Sequence, residues 1–180
     1  MIGVDRNPAI IDECRRRAEL AGLDDVARFE VGAVGDADAR GAHGVIALHA
    51  CDTATCDAIA LGVAAGAEVI AVAPCCQAEL ARGWAELAER GEAGPFAPVW
   101  GAPHLRRETA AMVTDTMRTL LLRARGYETL AMEFVPSEHT RKNTLIRAIA
   151  RGGVNDAARV EYDALCAATG GAGLALAGRI

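Results

Sequence analysis

Two short stretches hold most of the reactive side chains of this sequence. "LHACDTAT" sets His49, Cys51 and Asp52 at the end of one apolar run, and "APCCQAEL" sets Cys75 and Cys76 at the end of the next. Each run gives way at once to a helical pattern, so these residues stand at two strand ends. There, a His or Asp can take a proton from an acceptor or orient it, and a thiol can serve as nucleophile or methyl acceptor once it is a thiolate. No flanking cation marks either thiol as acidic. His49 with Cys51, Cys75 and Cys76 would also make a usual closed zinc set. No metal is expected, however, because adjacent cysteines should point their side chains apart and the spacing fits no standard finger. A third cluster, "SEHTRKN", offers Glu138, His139, Arg141, Lys142 and Asn143. Lys142 is the one lysine beside eighteen arginines, and its compact ammonium can steer a phosphate or lower an acceptor's pKa as a guanidinium would not. The bland alternatives are packed thiols and a solvated hairpin loop.

Elements must position these residues. "MIGVD" reads as a short strand ending in an acid. "NPAIIDECRRRAELAGL" reads as a helix with Asn7 as cap, Pro8 in the first position and Gly22 as stop. "ARFEVGAV", "GVIALHA" and "EVIAVAP" are further strands, and "TATCDAIALGVAAG" and "QAELARGWAELAER" are helices. Near-continuous apolar strands alternating with helices predict a parallel sheet covered on both faces. A long helix to about Arg125 precedes two more strands, "YETLAMEFV" and "NTLIRAIA". Their connection, "PSEHTRK", is too short for a parallel crossover, so they should pair antiparallel. Residues 91–104, with three prolines, read as an active-site loop or lid. The predicted class is α/β: a Rossmann-like, doubly wound, mostly parallel sheet with a C-terminal antiparallel hairpin. It should occupy residues 1–150, with a helix and a flexible glycine-rich tail over 151–180.

A chain of 180 residues, 52% hydrophobic and 24% charged, can bury a sizeable core. Its net charge of −5 argues against gripping nucleic acid through bulk positive charge, and aromatics at 4% argue against a base-stacking platform. The six cysteines form no CxxC pair and no secreted disulfide framework, and no signal peptide or membrane-length apolar run is present, which suggests a reduced, cytoplasmic protein. Cys14, Cys56 and Cys166 read as small apolar packing residues.

Asp5 ends the first strand, where an acid in a doubly wound sheet can take both ribose hydroxyls of an adenosine cofactor; the alternative is an Asp that only caps the next turn. With "GVDRNPAIIDECR", "RFEVGAV" and the final hairpin, residues 1–150 resemble class I S-adenosylmethionine-dependent methyltransferases. "LHACDTAT", "APCCQAEL" and "EHTRKN" further resemble, in order and spacing, a bacterial branch related to the tRNA 2′-O-methyltransferase family and other methyltransferase-like proteins. The resemblance implies S-adenosyl-L-methionine as cofactor, with Asp5 on its ribose, Arg6 against the adenine, the backbone of Ala33 and Val34 on the adenine edge, and His49 beside it. It also implies a catalytic rim of His49, Asp52, Cys75, Cys76, His139 and Lys142.

Such enzymes begin with a strand and a GxGxG loop that meets the methionine end of the cofactor. None precedes Asp5, so the expectation is a chain lacking its first strand and loop, binding the cofactor weakly or not at all. Two functions stay open. One is methyl transfer to an RNA 2′-hydroxyl, a base nitrogen or a small molecule; the other is a truncated relative that folds and binds an adenosine compound or a partner without catalysis. A nicotinamide dehydrogenase would use Asp5 but leaves "HACD", "PCCQ" and the hairpin unexplained.

Overall fold

The computed structural model describes residues 1–180 except His49, Ser137 and Arg141. The chain divides into two compact units, Met1–Arg40 and Gly41–Ile180.

In the first unit, β1 (Ile2–Asp5) and β2 (Arg28–Val31) pair in parallel around α1 (Pro8–Leu20). The Asn7 side chain accepts the Ala9 N–H at 3.0 Å and Pro8 fills the first turn, as the sequence predicts. Ile11 and Ala18 are the buried residues of α1. The ladder runs from Ile2 opposite Arg28 to Asp5 opposite Val31, and Gly32 N–H extends it by donating to the Asp5 carbonyl at 3.0 Å.

The second unit holds a four-stranded sheet in the order β3 (Gly44–Leu48), β4 (Val69–Ala73), β6 (Thr144–Ala150), β5 (Tyr127–Glu133). β3 and β4 are parallel, and β6 runs antiparallel to both β4 and β5. The final hairpin is therefore present as expected. The sheet content is mixed rather than mostly parallel, because β6 opposes both of its neighbours while β1 and β2 ladder only with each other among the described residues. Two helices follow the predicted positions, α2 (Thr53–Ala64) after β3 and α3 (Glu79–Glu89) after β4. Gly62 lets α2 lie close on the sheet, since a Cβ there would come within 2.7 Å of the Ile70 side chain. Ile70, Val72, Ile146 and Ala148 on that sheet face are fully buried, the Ile and Val side chains contributing about 1.5–3 kcal/mol of burial each. The opposite face is not covered as expected: Ile46 is 73% and Leu48 59% exposed, and Leu130 and Met132 are exposed with them. The physical reason lies in the helix placement, since α2 and the long α5 (Pro103–Ala124) both serve the buried face.

Two further expectations are corrected. Residues 91–104 are not an irregular loop; they fold into a 3-10 turn, Gly94–Phe96, and a short helix, α4 (Ala97–Trp100), that ends in a buried tryptophan. Trp100 stacks between Phe96 and Trp84, with ring centroids 5.1 and 5.2 Å away, so the aromatic rings hold the segment down. The glycine-rich tail is likewise docked. After α6 (Asp156–Ala168), Leu174 and Leu176 are buried, Leu174 N–H donates to Tyr162 Oη at 2.9 Å, and Arg179 pairs with Asp57 at 2.5 Å. Among the described residues no helix is long and apolar enough to cross a membrane.

α5 stops at Gly126, whose φ is +84° and whose missing Cβ leaves room for the Gly153 carbonyl oxygen. Gly126→Ala meets both an unfavourable backbone region and a backbone collision, so it should destabilise the protein by about 2–3 kcal/mol. A urea midpoint equal to that of the parent protein would show that residues 152–153 yield freely.

Candidate functional site

The first unit places Asp5, Arg6, Ala33 and Val34 at the carboxyl ends of β1 and β2. Asp5 is half-buried and its Oδ1 accepts the Asn7 N–H at 2.7 Å. The capping role is therefore real, and it occupies only one carboxylate oxygen; Oδ2 accepts no hydrogen bond among the described residues. Arg6 is exposed. Ala33 is extended, at φ −83° and ψ 145°, and precedes a 3-10 turn, Val34–Asp36. Neither the Ala33 nor the Val34 N–H donates a hydrogen bond among the described residues, so both can meet an acceptor from outside.

In the second unit, the ends of β3 and β4 bring Cys51, Cys75 and Cys76 together. Their three Sγ atoms lie within 4.8 Å of one another, and those of Cys51 and Cys75 are 3.3 Å apart. The expectation that adjacent cysteines would diverge too far to share a ligand is thus corrected. Burial, followed by hydrogen bonding to the Cys51 and Cys76 thiols, pushes Cys75 up to about 12. Cys75 is consequently a protonated thiol near neutral pH and not a poised nucleophile. His49 lies outside the described residues.

Asp52 has the one positive φ among described non-glycine residues, at 49°, a conformation that costs on the order of 1–3 kcal/mol and persists only when its surroundings enforce it. Here the enforcement is visible. Asp52 N–H donates to the Cys76 carbonyl at 3.1 Å, Oδ1 accepts from Ala78 N–H at 2.9 Å and Glu79 N–H at 3.2 Å, and Oδ2 meets Arg82 Nη2 at 3.2 Å. The carboxylate satisfies donors at the start of α3 from a neighbouring loop. It braces the two strand ends against each other.

Behind this loop pair lies a buried polar network that sequence reasoning did not find. Arg118 of α5 is 1% exposed; its Nη1 donates to Asp115 Oδ1 at 2.9 Å and its Nη2 to the Asp52 carbonyl at 2.9 Å, with Cys56 Sγ at 3.4 Å. Gln77 Nε2 donates to Asp115 Oδ2 at 2.9 Å. Burial pushes the Asp115 carboxyl above its ordinary value, against the pull of Arg118, Gln77 and Lys142. Burial also raises the Cys56 thiol, in keeping with its packing role. The spacing of Asp115 and Arg118 is that of an ordinary surface ion pair on a helix, which is why the sequence concealed them.

The pull of Lys142 on Asp115 sets that lysine within electrostatic reach of the network, although its side chain is exposed. His139 is exposed and stands 3.6 Å from Glu138. Asn143 Nδ2 ties the loop down by donating to Glu133 Oε1 at 2.6 Å and to the Val135 carbonyl at 3.0 Å. An open hollow of about 500 Å³ at this loop is lined by Glu133, Phe134, Val135, Pro136 and Glu138. Of the six expected rim residues, Asp52, Cys75 and Cys76 are thus in one cluster, and Lys142 and His139 are exposed on the 134–143 connection.

No curated protein and no solved structure matches this chain. Residues 1–83 match a family model described as a methyltransferase domain, over 83 of the 180 residues. The matched stretch includes Asp5, Ala33, Val34, Asp52, Cys75 and Cys76, and it supports methyltransferase activity in general terms.

Proposed function

We propose that this chain serves an S-adenosylmethionine-dependent methyl transfer, with RNA among the candidate acceptors. The observation that carries the reading is the edge formed by Asp5, Ala33 and Val34 inside the segment that matches a methyltransferase domain. Asp5 Oδ2 is left to accept from ribose hydroxyls, and the two N–H groups of Ala33 and Val34 suit the acceptor nitrogens of an adenine edge. Arg6, next to Asp5 and exposed, can lie on the ring face. These donors and acceptors fit the adenosine half of the cofactor, which when bound supplies an electrophilic methyl on a sulfonium. In the second unit, Lys142 can attract an anionic acceptor such as a phosphodiester, and Asp52 acts as a positioning residue because its carboxylate is already engaged.

The test is direct. The protein is incubated with radiolabelled S-adenosylmethionine and RNA, protein or metabolite fractions, and cofactor binding is measured by calorimetry. Asp5→Ala should weaken binding roughly 10- to 100-fold, the worth of charge-assisted hydrogen bonds of about 1.5–3 kcal/mol. Label transferred to no fraction, together with equal affinities for Asp5→Ala and the parent protein, would sink the reading.

A further inference from the structure

We propose that Cys51, Cys75 and Cys76 form a binding site for a thiophilic divalent cation, zinc(II) foremost, at the carboxyl ends of β3 and β4. Sulfurs around a tetrahedral zinc with bonds of about 2.3 Å stand about 3.8 Å apart. The three Sγ atoms lie within 4.8 Å of one another and those of Cys51 and Cys75 are at 3.3 Å. Closing the cluster on an ion therefore requires Sγ shifts of no more than about 1 Å, which cysteine χ1 rotation supplies. Thiolate ligands select zinc over the hard cations magnesium and calcium.

The frame around the thiols is the second observation. Cys51 is held on both sides: the Ala50 carbonyl accepts from Thr55 Oγ1 at 2.5 Å, and Asp52 is fixed through its N–H, carbonyl and carboxylate. The Cys76 carbonyl is the acceptor of that Asp52 N–H. The loops carrying the three sulfurs are thus tied to each other and to Arg118 before any ion arrives, as a preorganised ligand set requires. Binding would form three metal–sulfur bonds and release three thiol protons to solvent, with no change of oxidation state. Cys51 and Cys76 are exposed, so an ion can reach the sulfurs from solvent. The inference stands apart from the methyl-transfer reading, and either can fail alone.

The full chain, kept reduced and stripped of metal, would be titrated with cobalt(II) and then zinc(II). One equivalent of cobalt should give the thiolate-to-metal charge-transfer band and the visible bands of a tetrahedral site, and zinc should displace it. X-ray absorption of the zinc form should show three sulfurs at about 2.3 Å. Cys75→Ser/Cys76→Ser should abolish the cobalt band, and Cys14→Ser should retain it. Asp52→Asn, which loosens the frame without touching a ligand, should weaken zinc binding about 10- to 100-fold. No charge-transfer band in the parent protein, fewer than three sulfurs about zinc, or a band that survives in the folded double variant would overturn the proposal. The parent-protein spectra decide the matter even if the double variant fails to fold.

Discussion

Asp115→Ala should lower the unfolding free energy by about 3–5 kcal/mol, the cost of removing one partner from a buried ion pair. The Arg118 guanidinium is 1% exposed, and without Asp115 it keeps only the Asp52 carbonyl and the Cys56 thiol. A neutral carbonyl and a weak thiol acceptor do not compensate a buried cation. The double substitution Asp115→Ala/Arg118→Met should recover much of the loss, because it removes the stranded charge and fills its space with an apolar chain of similar length. Urea denaturation of both variants measures the difference. An Asp115→Ala protein within 1 kcal/mol of the parent would mean that the guanidinium finds water, contrary to its burial. Arg118→Met alone carries a second readout: it releases the Asp52 carbonyl, so the strained backbone that frames the three thiols should relax.

Trp84→Ala should cost a comparable amount, about 3–5 kcal/mol, for different reasons. Trp84 is fully buried, stacks on Trp100 with the ring planes 15° apart, and donates its Nε1–H to the Thr169 carbonyl at 3.1 Å. Removing it takes a face from the three-ring stack of Phe96, Trp100 and Trp84 and deprives the end of α6 of its anchor. Trp84→Phe separates the two contributions, since it keeps a ring and loses only the hydrogen bond, worth about 1 kcal/mol. Thermal unfolding gives the stability, and hydrogen exchange over residues 169–178 gives the anchoring. If exchange there is unaltered in Trp84→Ala, the tail is held without Trp84, by the buried Leu174 and Leu176 and by the contacts to Tyr162 and Asp57.

Local signals in the sequence correspond closely to local structure. The Asn7 cap, the Pro8 start, the first strand ending at Asp5, and the antiparallel final pair are where local residue signals and the short connection put them. What escaped were features decided by distant partners. The proline-rich 91–104 segment looks like a loop until Trp84 supplies the ring against which Trp100 stacks. The glycine-rich tail looks mobile until Tyr162 and Asp57 receive it. Asp52 reads as a proton acceptor beside reactive thiols, and only the fold shows its carboxylate taken up by Ala78, Glu79 and Arg82. Hydropathy assigns Asp115 and Arg118 to solvent for the same reason: a charge pair reveals its burial only when its surroundings are known.

The placement of β6 between β4 and β5 sets an order of events during synthesis. Val72 pairs with Ile146, 74 positions further along the chain, so a ribosome adding 5–20 residues per second leaves that side of β4 without its partner for about 4 to 15 seconds. β5 and β6, joined only by the 134–143 connection, can close on each other as soon as both have emerged. They then dock onto a β3–β4 pair that has been waiting with its amides solvated. The interval between these steps is when the nascent chain most needs shielding from strand addition by its neighbours.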